Sequence, residues 1–211
     1  MKNVELLFAE QLLAVHAIKV QPQDPFTWAS GWKSPFYCDN RKTLSYPDLR
    51  TFVKKELAKM VEAHFPQATA VAGVATGAIA QGVLVADILG LPFCYVRSKA
   101  KDHGMGNLIE GTLPAGSKVV VVEDLVSTGH SSLKAVAALR EAGFEVVGMV
   151  AAYTYGFPVA EEAFREADVE LRTLTNYQAL IEVATHSGYI TPEQQPTLDA
   201  WRKDPANWMK D

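Results

Sequence analysis

The chain has 211 residues, two cysteines and a formal net charge of −4, and 48% of it is hydrophobic. That length suits one α/β domain with small appendages and a sizeable core, and the interspersed charges argue against nucleic acid as the main partner. Cys38 and Cys94 exclude a disulfide framework and lack metal-ligand spacing, while the absence of a leader-like or membrane-length apolar run sets the expectation of a cytoplasmic protein with no membrane partner.

Val4, Leu7, Phe8 and Leu12 share one helical stripe and predict a helix over residues 4–15. Residues 26–39 read as two short extended arms around Gly31. Ser45-Tyr46-Pro47 predicts a helix start, with Ser45 as N-cap and Pro47 in the first turn, and the helix runs to about residue 64. Residues 70–74 form a buried strand, 78–89 a helix stopped by Gly90-Leu91-Pro92, and 92–96 the next strand. Residues 99–111 are polar, carry glycines and show no period, so a mobile loop is expected there. A strand over 118–122 and a helix over 131–142, with Gly143 at C′, come next. Then follow a strand at 146–152, a helix at 159–167, a strand at 171–174 and a helix at 176–187. Trp201 and Trp208 fall in a charged tail and read as packing or interface residues. Alternating strands and helices predict an α/β fold: a mostly parallel sheet with helices on both faces and ligands at the strands' carboxyl ends.

Residues 119–132 read Val-Val-Val-Val-Glu-Asp-Leu-Val-Ser-Thr-Gly-His-Ser-Ser. A buried strand, two acids expected at its carboxyl end, and a hydroxyl-rich loop before a helix suit a phosphorylated sugar. Loop amides and a helix N-terminus hold phosphate, and carboxylates accept hydrogen bonds from ribose hydroxyls. The plain alternative is an ordinary strand–loop–helix turn with a solvated acid pair. There is no G-x-x-x-x-G-K-[ST] loop, and a single glycine does not make a dinucleotide fingerprint.

Glu123 to Ser131 resembles the diphosphoribosyl-binding motif of the type I phosphoribosyltransferases. Three more segments narrow the resemblance to the orotate phosphoribosyltransferases. Ser30-Gly31-Trp32-Lys33-Ser34-Pro35-Phe36-Tyr37 is similar to their S-G-x-x-S-P-x-Y/F arm. Arg97 to Gly104 resembles their mobile R-x-x-x-K-x-H-G loop, and Gly73 to Gly77 their first phosphate-side loop. The resemblance implies one domain over 1–211 in the type I phosphoribosyltransferase fold, with residues 1–45 forming an N-terminal hood. It implies transfer of ribose 5-phosphate from 5-phosphoribosyl 1-diphosphate (PRPP) to orotate in pyrimidine biosynthesis, with Mg²⁺ carried on PRPP and no direct protein ligand.

By the same resemblance Lys101, Asp102 and Asp124 are catalytic. PRPP is bound by Arg97, Lys101, His103, Glu123, Asp124, Leu125, Val126, Ser127, Thr128, Gly129, His130 and Ser131, with Lys99 a weaker candidate. Orotate meets Ser127 and Tyr37, and a homodimer is implied in which the Arg97 loop crosses to the other subunit's site. Thr76 and Gly77 serve the diphosphate through their amides or are an ordinary turn; Trp28 and Trp32 belong to a hydrophobic hood or a dimer contact. The chain departs from many relatives at Ala29 and Ser98, where they carry lysine, from some in the 73–77 loop, where they carry a lysine and this chain has Thr76-Gly77, and from many at 153–156, where they carry an arginine for the orotate carboxylate. Two rivals stay open: a phosphoribosyltransferase for another base, and a non-catalytic PRPP-sensing regulator. The regulator calls for a helix-turn-helix or a basic patch, and neither is seen.

Overall fold

A computed structural model describes residues 3–28, 31–99 and 108–209. In chain order the helix α1 (Val4–Ala14) is followed by short strands β1 (Ile18–Val20), β2 (Phe26–Thr27), β3 (Lys33–Ser34) and β4 (Phe36–Cys38), then a 3₁₀ helix at Asn40–Ser45. Next come α2 (Pro47–His64), β5 (Ala70–Val74), α3 (Ile79–Leu89), β6 (Phe93–Val96) and β7 (Ile109–Glu110). After these lie β8 (Lys118–Val126), α4 (His130–Glu141), β9 (Glu145–Thr154), α5 (Pro158–Glu166), β10 (Leu171–Asn176), α6 (Tyr177–His186) and α7 (Gln195–Lys203). The chain divides into two compact units, Leu44–Tyr177 and the remainder, which joins the segment up to Thr43 with that from Gln178 onward.

The larger unit is built on one sheet of order β10-β9-β8-β5-β6-β7. Its pairs are parallel except β6 with β7, which is antiparallel. The connections run outward from β5 on one side and from β8 on the other, so the strand order reverses between these two neighbours. Such a reversal leaves a crevice at the strands' carboxyl ends. On one face Ala70, Ala72, Val119, Val121, Met149 and Ala151 pack with Ala135, Val136 and Leu139 of α4 and Phe164 of α5. The opposite face is covered by α2 and α3. Strand residues that are apolar on both sides explain the unbroken valine run of β8, because each side chain leaves water whichever face it takes. Burying each of these side chains stabilises by roughly 1.5–3 kcal/mol.

Two close approaches set the helices on the sheet. A Cβ at Gly82 of α3 would lie 2.7 Å from the Phe93 ring and 3.2 Å from the Gly73 Cα, so α3 rides directly on β5. A Cβ at Gly148 would lie 2.2 Å from the buried Phe65 ring, which follows α2. Gly148 also sits at a register shift where Val119 pairs Val146 but Val120 pairs Gly148.

Several expected boundaries move. The strand predicted at 118–122 extends to Val126, held by its ladder to β9. The helix after it begins at His130 rather than Ser131. Ser45 ends the 3₁₀ helix and does not cap α2; Tyr46 is the N-cap and makes no side-chain cap bond, Pro47 supplying the preset φ instead. Within the stretch expected to be loop, Ile109–Glu110 pairs with β6 as an edge strand. Short apolar runs hide such extensions because cross-strand pairing, not local sequence, decides where a strand stops.

In the smaller unit β1 pairs β4 and β2 pairs β3, both antiparallel. Trp201 of α7 is fully buried, its ring 5.0 Å from Phe36 and 6.0 Å from Trp28, and its Nε1 donates to the Lys33 carbonyl at 3.2 Å. Trp28 Nε1 donates to the Phe36 carbonyl at 2.9 Å and its ring stacks on Trp32. The tail tryptophan is therefore a core residue of this unit, and Trp28 belongs to the same aromatic cluster. Among the described residues no helix is long and apolar enough to cross a membrane.

Gly148→Ala is expected to destabilise the protein by about 1–3 kcal/mol through overpacking against Phe65. Thermal denaturation followed by circular dichroism checks this; a midpoint equal to the parent's would show that the Phe65 ring moves aside freely.

Candidate active site

The carboxyl ends of three neighbouring strands frame the crevice, two of them level and β8 running further. Val74 pairs Val96, and the Ala75 amide donates to the Val96 carbonyl at 2.8 Å, so β5 and β6 finish together. On the other side β8 is carried to Val126, whose carbonyl accepts the Tyr155 amide at 3.1 Å and the Thr154 hydroxyl at 3.2 Å. The chain then turns through Ser127, Thr128 and Gly129 into α4.

Because β8 continues past them, Glu123 and Asp124 lie inside the strand and do not follow it as expected. Successive side chains of a strand leave opposite faces. Glu123 goes under α4: Ser132 Oγ donates to its Oε2 at 2.8 Å, and the Asp124 amide donates to its Oε1 at 2.9 Å. Glu123 is 4% exposed and Ser132 1%. Asp124 goes the other way and is half-buried beside Gly77, in the turn between β5 and α3. Burial pushes the Glu123 carboxyl well above the ordinary glutamate range, and the charge of Asp124 and a hydrogen bond to its side chain push in the same direction. The Ser132 and Asp124 backbone hydrogen bonds oppose this without overcoming it.

Ser127 and Thr128 are half-buried, Gly129 is buried, and His130 and Ser131 are exposed. Leu125 is half-buried and Val126 buried in the strand just before them. Gly129 is the N-cap of α4, with φ 81° and no side-chain cap bond. The first-turn amides of α4 therefore have no side-chain partner at the cap, the arrangement that accepts an anion. Glycine is required here twice over, since a Cβ would also lie 2.9 Å from the Phe164 ring of α5.

Arg97 leaves the end of β6, where its amide donates to the Leu108 carbonyl at 2.8 Å and its guanidinium meets Glu110 at 3.4 Å. Lys134 of α4 donates to the Ser98 carbonyl at 3.3 Å, and Lys99 is exposed. Lys101, Asp102 and His103 lie outside the described residues, as does Ser30. Tyr37 belongs to the smaller unit, 38% exposed on β4 with its ring 5.4 Å from Phe26. The structure thus gathers Asp124 and residues 127–131 at one crevice, with Arg97 beyond the adjoining end of β6. Sequence reasoning left Ser132 unassigned. Its signal was the spacing of nine residues from Glu123, which one strand end and one helical turn bring together. Among the described residues no three acidic, histidine or cysteine side chains gather as a metal cage.

Residues 50–179 match the family model described as the phosphoribosyl transferase domain. The chain is 69% identical over 208 residues to an orotate phosphoribosyltransferase of Bacteroides fragilis, covering 99% of this chain and 98% of that one. Among solved structures it is similar to orotate phosphoribosyltransferase from Aeropyrum pernix, at a TM-score of 0.76 and 28% identity over 87% of this chain and 99% of that one. It is also similar to Leishmania donovani UMP synthase, at a TM-score of 0.80 and 26% identity over 94% of this chain. It spans only 42% of that longer protein.

The raised Glu123 carboxyl makes stability depend on pH. A group that holds its proton more tightly when folded contributes fully below its unfolded value, near 4.5, and loses that contribution as pH rises through the folded value. Glu123→Gln cannot ionise, so its melting temperature is expected to fall less steeply than the parent's from acid to neutral and alkaline pH. Parallel pH curves for the two proteins would refute this. Ser132→Ala strands a buried carboxyl oxygen and is expected to cost about 1–3 kcal/mol of stability, read from denaturant unfolding.

Proposed function

This chain belongs to the orotate phosphoribosyltransferase family, and from that premise we propose how its residues move ribose 5-phosphate from PRPP to orotate with release of diphosphate. The observation that carries the reading is the half-buried Asp124 carboxylate, two residues before the end of β8, with the short turn to the uncapped start of α4 just beyond.

In this reading the 5′-phosphate sits on the amides and hydroxyls of Ser127, Thr128, Gly129, His130 and Ser131. The helix start favours the phosphate charge of about −1.5 to −2. Leu125 and Val126 hold the loop in place from the strand. Asp124 accepts hydrogen bonds from the ribose hydroxyls. Glu123 shares the motif with it and acts from beneath, its carboxyl already engaged by Ser132. Bond breaking at the sugar develops oxocarbenium character, as glycosyl transfers do, and a nearby carboxylate favours that positive charge. The departing diphosphate needs cations. Arg97 is one; Lys101 and His103 follow it in sequence, and Asp102 completes the family's loop. A basic loop over the diphosphate also excludes water, which otherwise competes with orotate for the sugar.

Mg²⁺, when bound, supplies further positive charge to the diphosphate. As the resemblance implies, the ion would be carried on the donor's own phosphate oxygens with no direct protein ligand, the mode Mg²⁺ favours with phosphate substrates. For the base we assign Ser127, by its place in the motif, and Tyr37, by resemblance. We further propose that residues 1–45 act as a hood and that the enzyme works as a cytoplasmic homodimer in which the Arg97 loop reaches the neighbouring subunit.

Asp124→Asn is expected to lower kcat by about 10²–10³-fold, the usual cost of removing one group that stabilises developing charge. The assay follows loss of orotate absorbance with PRPP and Mg²⁺, with adenine, hypoxanthine and uracil as parallel substrates. Near-parental turnover would remove Asp124 from the reaction, and turnover only with another base would replace orotate as the acceptor.

A further inference from the structure

Gly77 is not among the glycines with positive φ, in contrast to Gly129, so a left-handed backbone is not what calls for glycine there. Space does. A Cβ placed on Gly77 would lie 2.0 Å from Oδ2 of Asp124, 2.3 Å from its Cγ and 2.7 Å from its Oδ1, and those are the three nearest atoms. The Asp124 carboxylate occupies the volume that a side chain at residue 77 would fill. Gly77 lies in the turn that follows β5 and Asp124 on the neighbouring strand β8, on either side of the reversal in strand order. The Asp124 Cγ as well as both its oxygens would lie within 2.7 Å of that Cβ, so rotation about Cβ–Cγ does not clear it and the whole carboxylate must move by turning about Cα–Cβ.

We propose that Gly77 is a positioning residue for the transfer: its missing side chain is the slot that seats the Asp124 carboxylate in the orientation that meets the ribose hydroxyls. This rests on the reading that Asp124 grips the ribose. It differs from a role for the residue 75–78 turn in binding diphosphate, because the slot acts on the sugar and is indifferent to the leaving group. It also makes the sugar grip a joint product of two strand ends. The β8 strand supplies the acid and the turn after β5 supplies its orientation.

The test is Gly77→Ala. The clash falls on the end of a half-buried side chain, so the protein is expected to fold, with its melting temperature lowered by no more than the loss of the side-chain hydrogen bond between Asp124 and Glu123 accounts for. kcat/KM for PRPP is expected to fall about 10²-fold, the scale of a displacement of roughly 1 Å at a reacting group. By titration calorimetry orotidine 5′-phosphate, which carries ribose without diphosphate, binds more weakly to the variant. Mg-diphosphate alone binds as it does to the parent. In an Asp124→Ala background the second substitution, Gly77→Ala, adds almost no further loss, since no carboxylate remains to be displaced. A Gly77→Ala protein with parental kcat/KM overturns the slot while leaving the role of Asp124 intact. Weakened Mg-diphosphate binding, or a loss that simply adds to that of Asp124→Ala, also overturns it. A parental rate for Asp124→Ala overturns the reading beneath it. Should Gly77→Ala fold poorly, the double variant decides: recovery of its melting temperature supports the slot, and no recovery overturns it.

Discussion

Glu123 and Asp124 are covalent neighbours on a strand that stays paired to β9 through Val126, so their side chains start toward opposite faces while their carboxyl groups stay within hydrogen-bond reach of each other. The crevice depends on that alternation. One carboxyl is drawn beneath α4 and tied to Ser132, which couples the strand to the first turn of the helix that carries the candidate phosphate cradle. The other is delivered to the crevice edge, against the turn that follows β5. Had the strand ended at Val122, both acids would sit in a loop where neither the ladder nor the helix determined their direction.

The same geometry settles an electrostatic difficulty. Two ionised carboxylates placed this close repel strongly where water is scarce. Burial and the neighbouring charge of Asp124 shift Glu123 toward its protonated form. The uncapped start of α4 and Arg97 at the end of β6 add positive potential nearby.

Glycine does different work at different points of this unit. At Gly129 it permits a left-handed turn over the Phe164 ring; at Gly73 and Gly82 it lets α3 approach β5; at Gly148 it leaves room for Phe65. These contacts hold the turn after β5 and the loop after β8 where they face each other across the reversal in strand order. The smaller unit is organised differently, around a cluster of Trp28, Phe36 and Trp201 drawn from both ends of the chain.

Alternating apolar strands and amphipathic helices determine the α/β class, the parallel sheet and the motif loop from sequence alone, because period and turn chemistry are local properties. The family was legible for the same reason: its motif residues are contiguous. The true end of β8, the loss of Ser45 as a cap, the edge strand at Ile109–Glu110 and the partners against which Trp201 packs were not legible. Each depends on a partner distant in sequence. Residue order placed Glu123 beside Asp124, but only the tertiary structure decided that Ser132 would hold one and Gly77 would make room for the other. Side-chain direction within a strand is set by pairing, and a close approach between strand ends is set by packing, and neither is written in the spacing of adjacent residues.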